Sequence, residues 1–152
     1  MRGVAKVAPR TATSTEDYVL EDQVGHLLRR AHQRHGAIFQ EAIGHAHLTP
    51  LQFAALVKLR DIGQVSQNQL GRLTAMDAAT MQGVIKRLIA RKFIERRPDP
   101  EDRRRLLLRL SPAGETLISG AVLVGHEISA ETLAPLSPTE RSLFLALLRR
   151  LA

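Results

Sequence analysis

The segment from Glu95 to Leu110 constrains the fold of this chain most strongly. Two short runs typical of β-strands flank a turn that contains Pro98, Asp99, Pro100 and Asp102, residue types that preset or tolerate turn geometry. The arginines beside the turn would therefore project from the tip of a β-hairpin. Because short helical segments precede it, this hairpin predicts the wing of a winged helix-turn-helix.

The positive charge of the chain is concentrated around this hairpin. The 152 residues carry a formal net charge of +7, and the sequence pI is near 11.0. Between Lys86 and Arg109 there are ten Lys or Arg residues against four acids. Charged surface residues usually face solvent and bind no partner. Here their clustering at a predicted hairpin favours double-stranded DNA as the partner.

Composition excludes several classes of protein. The chain has no Cys, which excludes disulfides and thiol chemistry. It has no apolar run of the roughly 20 residues that span a bilayer and no secretory signal, so we expect a cytoplasmic protein without a membrane partner. No nucleotide-binding or catalytic motif occurs, so we expect neither an enzyme nor a cofactor. With one Tyr and no Trp, a platform for stacking single-stranded nucleic acid is disfavoured.

Capping patterns predict the helix-turn-helix itself. Thr49-Pro50-Leu51-Gln52 indicates a helix start, and Gly63 indicates its end. Residues 66–69 (Ser-Gln-Asn-Gln) repeat the capping-box pattern, and Asp77 caps the following helix, the predicted recognition helix. The predicted helices end at about residues 62, 74 and 92, and the predicted strands cover residues 93–97 and 105–110.

Further helical patterns flank this lobe. Apolar residues recur at three- and four-residue steps over residues 17–46, and Ser-Pro starts at 111 and 137 open two more helices, over about 112–133 and from 138 onward. These helices are so apolar that they serve either internal packing or a dimer interface, which a palindromic DNA site requires. Residues 1–16 are expected to form a flexible arm, either without a role or in contact with DNA or a partner subunit.

This order of elements resembles the MarR family of bacterial transcriptional regulators. The resemblance runs from the Thr49-Pro50 helix to Ser111-Pro112-Ala113-Gly114, and its most specific part is Asp99-Pro100-Glu101-Asp102-Arg103-Arg104. It implies a mainly α fold with a small β-hairpin wing, that is, a winged helix-turn-helix with N- and C-terminal dimerisation helices. A single domain would cover residues 17–152, with dimerisation helices at 17–46 and 112–152 and the DNA-binding lobe at 49–111.

The resemblance also implies how such a protein acts. It implies a homodimer whose first, fifth and sixth helices interleave, with ligands often bound between the dimer core and the DNA-binding lobes. In the wing, it implies that Asp102 orients Arg104 toward the minor groove, where a narrow A-tract concentrates negative potential.

We expect the DNA contacts to come from the wing and the recognition helix. Outward-facing Thr80, Gln82 and Lys86 can reach base edges or phosphates, and Gln82 can pair with adenine. Gly83, which costs a helix about 1 kcal/mol relative to Ala, is either incidental or permits close approach to DNA. Ser66 contacts a phosphate or only caps its helix. The predicted DNA-binding set is Ser66, Thr80, Gln82, Gly83, Lys86, Arg87, Asp102, Arg103 and Arg104.

Five of the six histidines fall between residues 26 and 47. Helical spacing places His32, His35 and Phe39 on one ridge, and with Phe53 this ridge could bind a small aromatic carboxylate. The family resemblance implies the same ligand class, phenolic or heteroaromatic acids. The alternative is that these histidines are hydrogen-bonded packing residues.

A metal site is the other alternative for this cluster. His45 and His47 with Glu41 offer nitrogen and oxygen donors, but the sequence supplies no Cys and no firm third ligand.

The predicted function is a ligand-responsive regulator, more often a repressor, which binds a pseudo-palindromic operator as a homodimer and is released by an aromatic carboxylate. A metal-responsive regulator and a non-specific architectural DNA-binding protein remain the alternatives.

Overall fold

The computed structural model describes residues 18–152, so the arm predicted at residues 1–16 lies outside the described residues. The described part is mainly helical with one three-stranded antiparallel sheet, which confirms the predicted fold class. No helix in this part of the chain is long and apolar enough to cross a membrane. The elements are α1 Val24–Ile43, α2 Pro50–Ile62, β1 Gln64–Ser66, α3 Gln67–Leu73, α4 Ala78–Ala90, β2 Ile94–Pro98, β3 Leu106–Leu110, α5 Pro112–Thr132 and α6 Pro138–Leu151.

The first long helix is shorter than the predicted span of residues 17–46. It covers Val24–Ile43, and single 3-10 turns at Leu20–Asp22 and Gly44–Ala46 flank it. Its end has a clear physical cause, because Gly44 and His47 have φ values of 49° and 46°, in the left-handed region that a continuing helix cannot contain.

Backbone contacts divide the chain into two units, Met1–Gln33 and Arg34–Ala152. The described part of the first unit buries none of its residues, and its exposed apolar side chains are Tyr18, Val19, Leu20, Val24, Leu27 and Leu28. The second unit contains a hydrophobic core. Its fully buried large side chains come from α2, α3, α4, β3 and α5, namely Leu56, Leu59, Leu70, Met81, Ile85, Leu88, Leu108 and Ile118.

The predicted helix caps are present, but the cap of α3 is a single hydrogen bond and not a full capping box. Thr49 and Gln52 form the full capping box, with the Gln52 N–H donating to Thr49 Oγ1 at 3.2 Å and the Thr49 N–H donating to Gln52 Oε1 at 3.0 Å. Ser66 caps α3 through a single bond, which it accepts from the Gln69 N–H at 3.4 Å, and the reciprocal half predicted there is not formed in the described structure. Gly63 ends α2 with a φ of 88°.

The sheet contains a strand that the sequence did not indicate as paired. The hairpin strands β2 and β3 are antiparallel, and β1 pairs with the other edge of β3, so that Gln64 lies opposite Arg109. The hairpin begins at Ile94 and not at the predicted Phe93, because Phe93 takes part in the turn that follows α4: its N–H donates to the Leu88 carbonyl at 3.0 Å.

Candidate nucleic-acid interface

The face of α4 opposite the core carries the predicted recognition residues. Met81, Val84, Ile85 and Leu88 are buried, which turns the other side of the helix outward. On that side Gln82, Lys86 and Arg87 are exposed, while Thr80 and Gly83 are partly buried.

The start of α4 is well fixed. The Thr80 N–H donates to Asp77 Oδ1 at 2.7 Å, and this hydrogen bond lowers the pKa of the Asp77 carboxyl. A carboxylate at this position satisfies a free helical N–H and interacts favourably with the helix dipole. No acid follows Asp77 until Glu95, so the positive charges of Lys86 and Arg87 are not balanced by their own helix.

The tip of the wing is closed by backbone and side-chain hydrogen bonds. The Asp99 N–H donates to the Arg105 carbonyl at 2.9 Å, and the Arg105 N–H donates to the Asp102 carbonyl at 2.8 Å. Asp99 Oδ1 also accepts the Glu101 N–H at 2.9 Å. These bonds hold residues 99–105 in one compact turn, and they explain why β3 begins at Leu106 and not at the predicted Arg105.

Within this turn, the predicted pair Asp102 and Arg104 is in direct contact. Asp102 Oδ1 accepts from the Arg104 N–H and from Arg104 Nε, and the guanidinium bond is the larger cause of the lowered pKa of the Asp102 carboxyl. The Arg104 side chain remains 91% exposed. Its neighbours Arg103 and Arg105 are exposed as well, and in residues 18–152 neither takes part in a salt bridge.

Glu95 is a residue of the candidate interface that the sequence analysis missed. Its Oε2 accepts from Arg109 Nη2 at 3.1 Å and from Arg97 Nη2 at 3.0 Å, and the Arg109 bond is the main cause of the lowered pKa of the Glu95 carboxyl. Glu95 therefore holds two arginines on the outer face of the sheet. The cross-strand pairing of Glu95 with Arg109 would have indicated it, once the register was known.

Arg91 is a second missed residue, and it fixes the position of the lobe. Its Nη1 and Nη2 donate to the carbonyls of His47 and Ala46, each at 2.8 Å, and its guanidinium lies 4.8 Å from the centre of the Phe93 ring. Arg91 thus ties the end of the recognition helix to the loop before α2. Partners 44 and 45 residues apart leave no local sequence signal.

The predicted ligand wall is assembled in part. His35 Nδ1 lies 3.0 Å from Thr132 Oγ1, the rings of His35 and Phe39 are 6.5 Å apart, and the ring of Phe53 meets Phe39 edge-on at 5.8 Å. Phe39 is buried with 3% exposure, whereas His35 and Phe53 are partly buried. His32 is exposed.

The tautomer of His35 follows from its neighbour. The Thr132 hydroxyl already donates to the Ile128 carbonyl at 2.7 Å, so its oxygen must accept from His35 Nδ1–H. This leaves His35 Nε2 available to a ligand. His35 is therefore a hydrogen-bonded residue, as the packing alternative expected, and within residues 18–152 its Nε2 forms no hydrogen bond.

The structure has two further grooves, one lined by basic and one by acidic side chains. A groove of about 620 Å³ is lined by Arg60, Arg109 and Gln64 among others, and one of about 320 Å³ is lined by Glu41, Glu127 and Glu131 with three apolar residues. None of the four predicted ligand residues, His32, His35, Phe39 and Phe53, lines either groove. Within residues 18–152 no three His, Asp or Glu side chains, the three glutamates of this second groove included, are placed so that they could hold a metal ion.

Comparison with known proteins gives a family match in the DNA-binding lobe and similar proteins over most of the chain. A family model described as the MarR family matches residues 48–106. The HTH-type transcriptional repressor NicR of Pseudomonas putida is 40% identical over 147 residues, which is 96% of this chain and 93% of that protein.

Two solved structures have nearly the same fold. A probable transcriptional regulator from Pseudomonas aeruginosa is 51% identical with a TM-score of 0.86, over 88% of this chain and 100% of that chain. BpsR of Bordetella bronchiseptica, whose DNA binding is regulated by 6-hydroxynicotinic acid, is 46% identical with a TM-score of 0.84, over 88% of this chain and 96% of that chain.

Proposed function

Because the chain belongs to the MarR family of transcriptional regulators, we propose that it binds a pseudo-palindromic operator as a homodimer and is released by a small aromatic carboxylate. It is a transcriptional repressor and not an enzyme. The observation that carries the proposal is the wing contact between Asp102 and Arg104, beside a recognition helix with unbalanced positive charge.

Operator binding is supported by two elements of this surface, each of which suits a different groove of DNA. The outward residues of α4 fit the major groove, where hydrogen bonds to base edges supply specificity. Arg104, held by Asp102 and 91% exposed, fits a narrow minor groove. A surface with charge alone would suit an architectural protein, but an oriented arginine together with a capped, outward-facing helix favours sequence-specific recognition.

A homodimer is supported by apolar surface near the C-terminus. Helix α6 buries none of its residues, although it carries Leu143, Leu147 and Leu151 with exposures of 58%, 46% and 74%. Leu123 on α5 is 67% exposed. Exposed apolar surface of this kind marks protein–protein interfaces, and a second copy of the chain supplies the twofold symmetry that a palindromic site requires.

The effector is proposed to be a hydroxylated aromatic carboxylate, for which 6-hydroxynicotinic acid is the first candidate because it regulates the related BpsR. The chemistry of the wall around His35 suits this class. A protonated His35 can donate Nε2–H to a carboxylate, and a neutral one can accept from a ring hydroxyl. Phe53, which is partly buried, offers an edge or face for the ligand ring.

Release follows if the ligand binds the DNA-incompetent arrangement of the two recognition helices more tightly than the competent one. The test is fluorescence anisotropy of operator-bound protein titrated with 6-hydroxynicotinic acid. A 2-hydroxypyridine control lacks the carboxylate. We expect release by the acid alone, with a weakened response in His35→Ala and an unchanged one in His32→Ala. No release by the acid at millimolar concentration contradicts the proposed effector class, and equal loss in both variants contradicts the role of His35.

A further inference from the structure

We propose that Arg87, lying over the bare backbone of Gly83, is the residue of α4 that reads a base pair, with guanine as its target. The inference rests on the proposed operator binding and specifies which residue determines specificity within that site. It also gives a reason for a glycine in the middle of a recognition helix.

The geometry of the pair is specific. A Cβ atom at Gly83 would lie 3.6 Å from Arg87 Nη1, and apart from the helix backbone and the two chain neighbours of Gly83 no other heavy atom of residues 18–152 lies within 4 Å of it. Side chains on a helix lean toward its N-terminus. The Arg87 side chain therefore extends back by one turn, and its guanidinium occupies the space that a side chain at position 83 would fill.

A purely structural role for Arg87 does not fit this position. Arg87 belongs to the last turn of α4, where a cation that stabilises the helix dipole would lie beside the last carbonyl groups. The guanidinium instead points away from them, toward Gly83. Within residues 18–152 Arg87 takes part in no salt bridge. Within the described residues, its guanidinium donors are therefore open to DNA.

The position favours base reading over phosphate contact. The N-terminal half of a recognition helix is the part that meets base edges, and the guanidinium is displaced toward that half, next to exposed Gln82. A planar guanidinium matches O6 and N7 of guanine with two parallel hydrogen bonds. Lys86, a compact point charge on the same face, suits a phosphate.

The space over Gly83 sets a limit on substitution. A contact of 3.6 Å is ordinary van der Waals distance, so a methyl group at position 83 leaves Arg87 in place. A longer side chain would occupy the same volume as the guanidinium and displace it. Gly83→Ala and Gly83→Met therefore separate the effect of losing a glycine from the effect of losing the space.

The test measures binding of the full-length protein to a panel of operator duplexes, each with one base pair replaced, by competition in fluorescence anisotropy. We expect the wild type and Gly83→Ala to discriminate against replacement of one G·C pair in each half-site by roughly 5- to 100-fold. Arg87→Ala and Gly83→Met should lose discrimination at that pair alone. The matched control Lys86→Ala should weaken binding to all duplexes by a similar factor. Thermal unfolding of each variant checks that the fold is retained.

Two results would overturn the inference in distinguishable ways. If Arg87→Ala weakens binding equally across the panel, Arg87 contacts a phosphate, and the inference is wrong while operator recognition stands. If the wild type itself shows no preference among the duplexes and random DNA, the proposed operator binding fails and the inference fails with it.

Discussion

Asp102 Oδ1 accepts two hydrogen bonds from Arg104, one from its backbone N–H at 3.1 Å and one from its Nε at 3.2 Å. Two bonds from one residue fix both the turn and the direction of the guanidinium. Ordering an exposed arginine side chain on binding costs conformational entropy, and a carboxylate that holds it beforehand reduces this cost. The pair is thus built to present an arginine that is already oriented.

Removing the charge of this carboxylate should weaken DNA binding, although it also removes a negative charge from a DNA-binding surface. We expect Asp102→Asn to lower operator affinity several-fold, because the orientation of Arg104 is lost. The matched control is Glu101→Gln, at the preceding position in the turn, which should leave affinity unchanged or raise it by reducing repulsion of phosphates. Anisotropy titrations at two salt concentrations measure both. A gain of affinity in Asp102→Asn would show that only net charge matters at the wing.

Glu95→Gln should strengthen non-specific DNA binding. The change releases Arg97 and Arg109 from the carboxylate they share, and each arginine that then reaches a phosphate steepens the salt dependence by about 0.9 in the log-log slope. The slope against random duplex measures this effect. Glu115→Gln, on the first turn of α5, is the control with the same charge change. An unaltered slope in Glu95→Gln would mean that neither arginine faces DNA.

Gly114→Ala should destabilise the protein strongly. A Cβ at Gly114 would clash with the Phe93 carbonyl oxygen, where α5 begins close to the end of α4, so the backbone must move. We expect the free energy of unfolding to fall by more than about 2 kcal/mol. Gly120→Ala, in the same helix with nothing within 4 Å of the added Cβ, should raise it by up to about 1 kcal/mol. Urea denaturation measures both changes, and a Gly114→Ala variant as stable as the wild type would contradict the close packing of Gly114 against Phe93.

Stability should decline in acid. Hydrogen bonds lower the pKa of Asp77, Glu95, Asp102 and Glu140 below the ordinary values of 3.8 for Asp and 4.5 for Glu. A carboxyl group whose pKa is lower in the folded state than in the unfolded state stabilises the fold at a pH above its unfolded pKa. This stabilisation is lost as the pH falls through the folded-state pKa. The melting temperature should therefore drop between about pH 5 and pH 3, modestly because exposed pairs are weak. Asp77→Asn should reduce this dependence, and a flat profile would contradict the pKa shifts.

Local patterns predicted most of the helix ends, because caps are local chemistry. The boxes at Thr49 and Ser137 and the cap at Asp77 require only residues within one turn, and all three are present. The pair of Asp102 and Arg104 was also found, through a family resemblance in a short turn.

Long-range relations were not predictable in the same way. The pairing of β1 with β3 joins residues that lie 41 to 45 positions apart in the sequence, and the contacts of Arg91 depend on a loop that only the packed fold brings near. The ligand wall was predicted only in part, because some of its contacts are local and others depend on packing between distant helices. Helical spacing placed His35 and Phe39 together, but only packing of α5 shows that Thr132 fixes the His35 ring.

The measurement that tests the account most directly is fluorescence anisotropy of the full-length protein with the DNA upstream of its own gene, at physiological salt with excess random competitor. Wild type is compared with Arg104→Ala and with Arg97→Ala, a wing arginine that Glu95 already binds. We predict specific binding that Arg104→Ala weakens by roughly 5- to 100-fold and that Arg97→Ala weakens less. Equal affinity of the wild type for upstream and random DNA, or an Arg104→Ala variant that binds like the wild type, would contradict operator recognition through the wing.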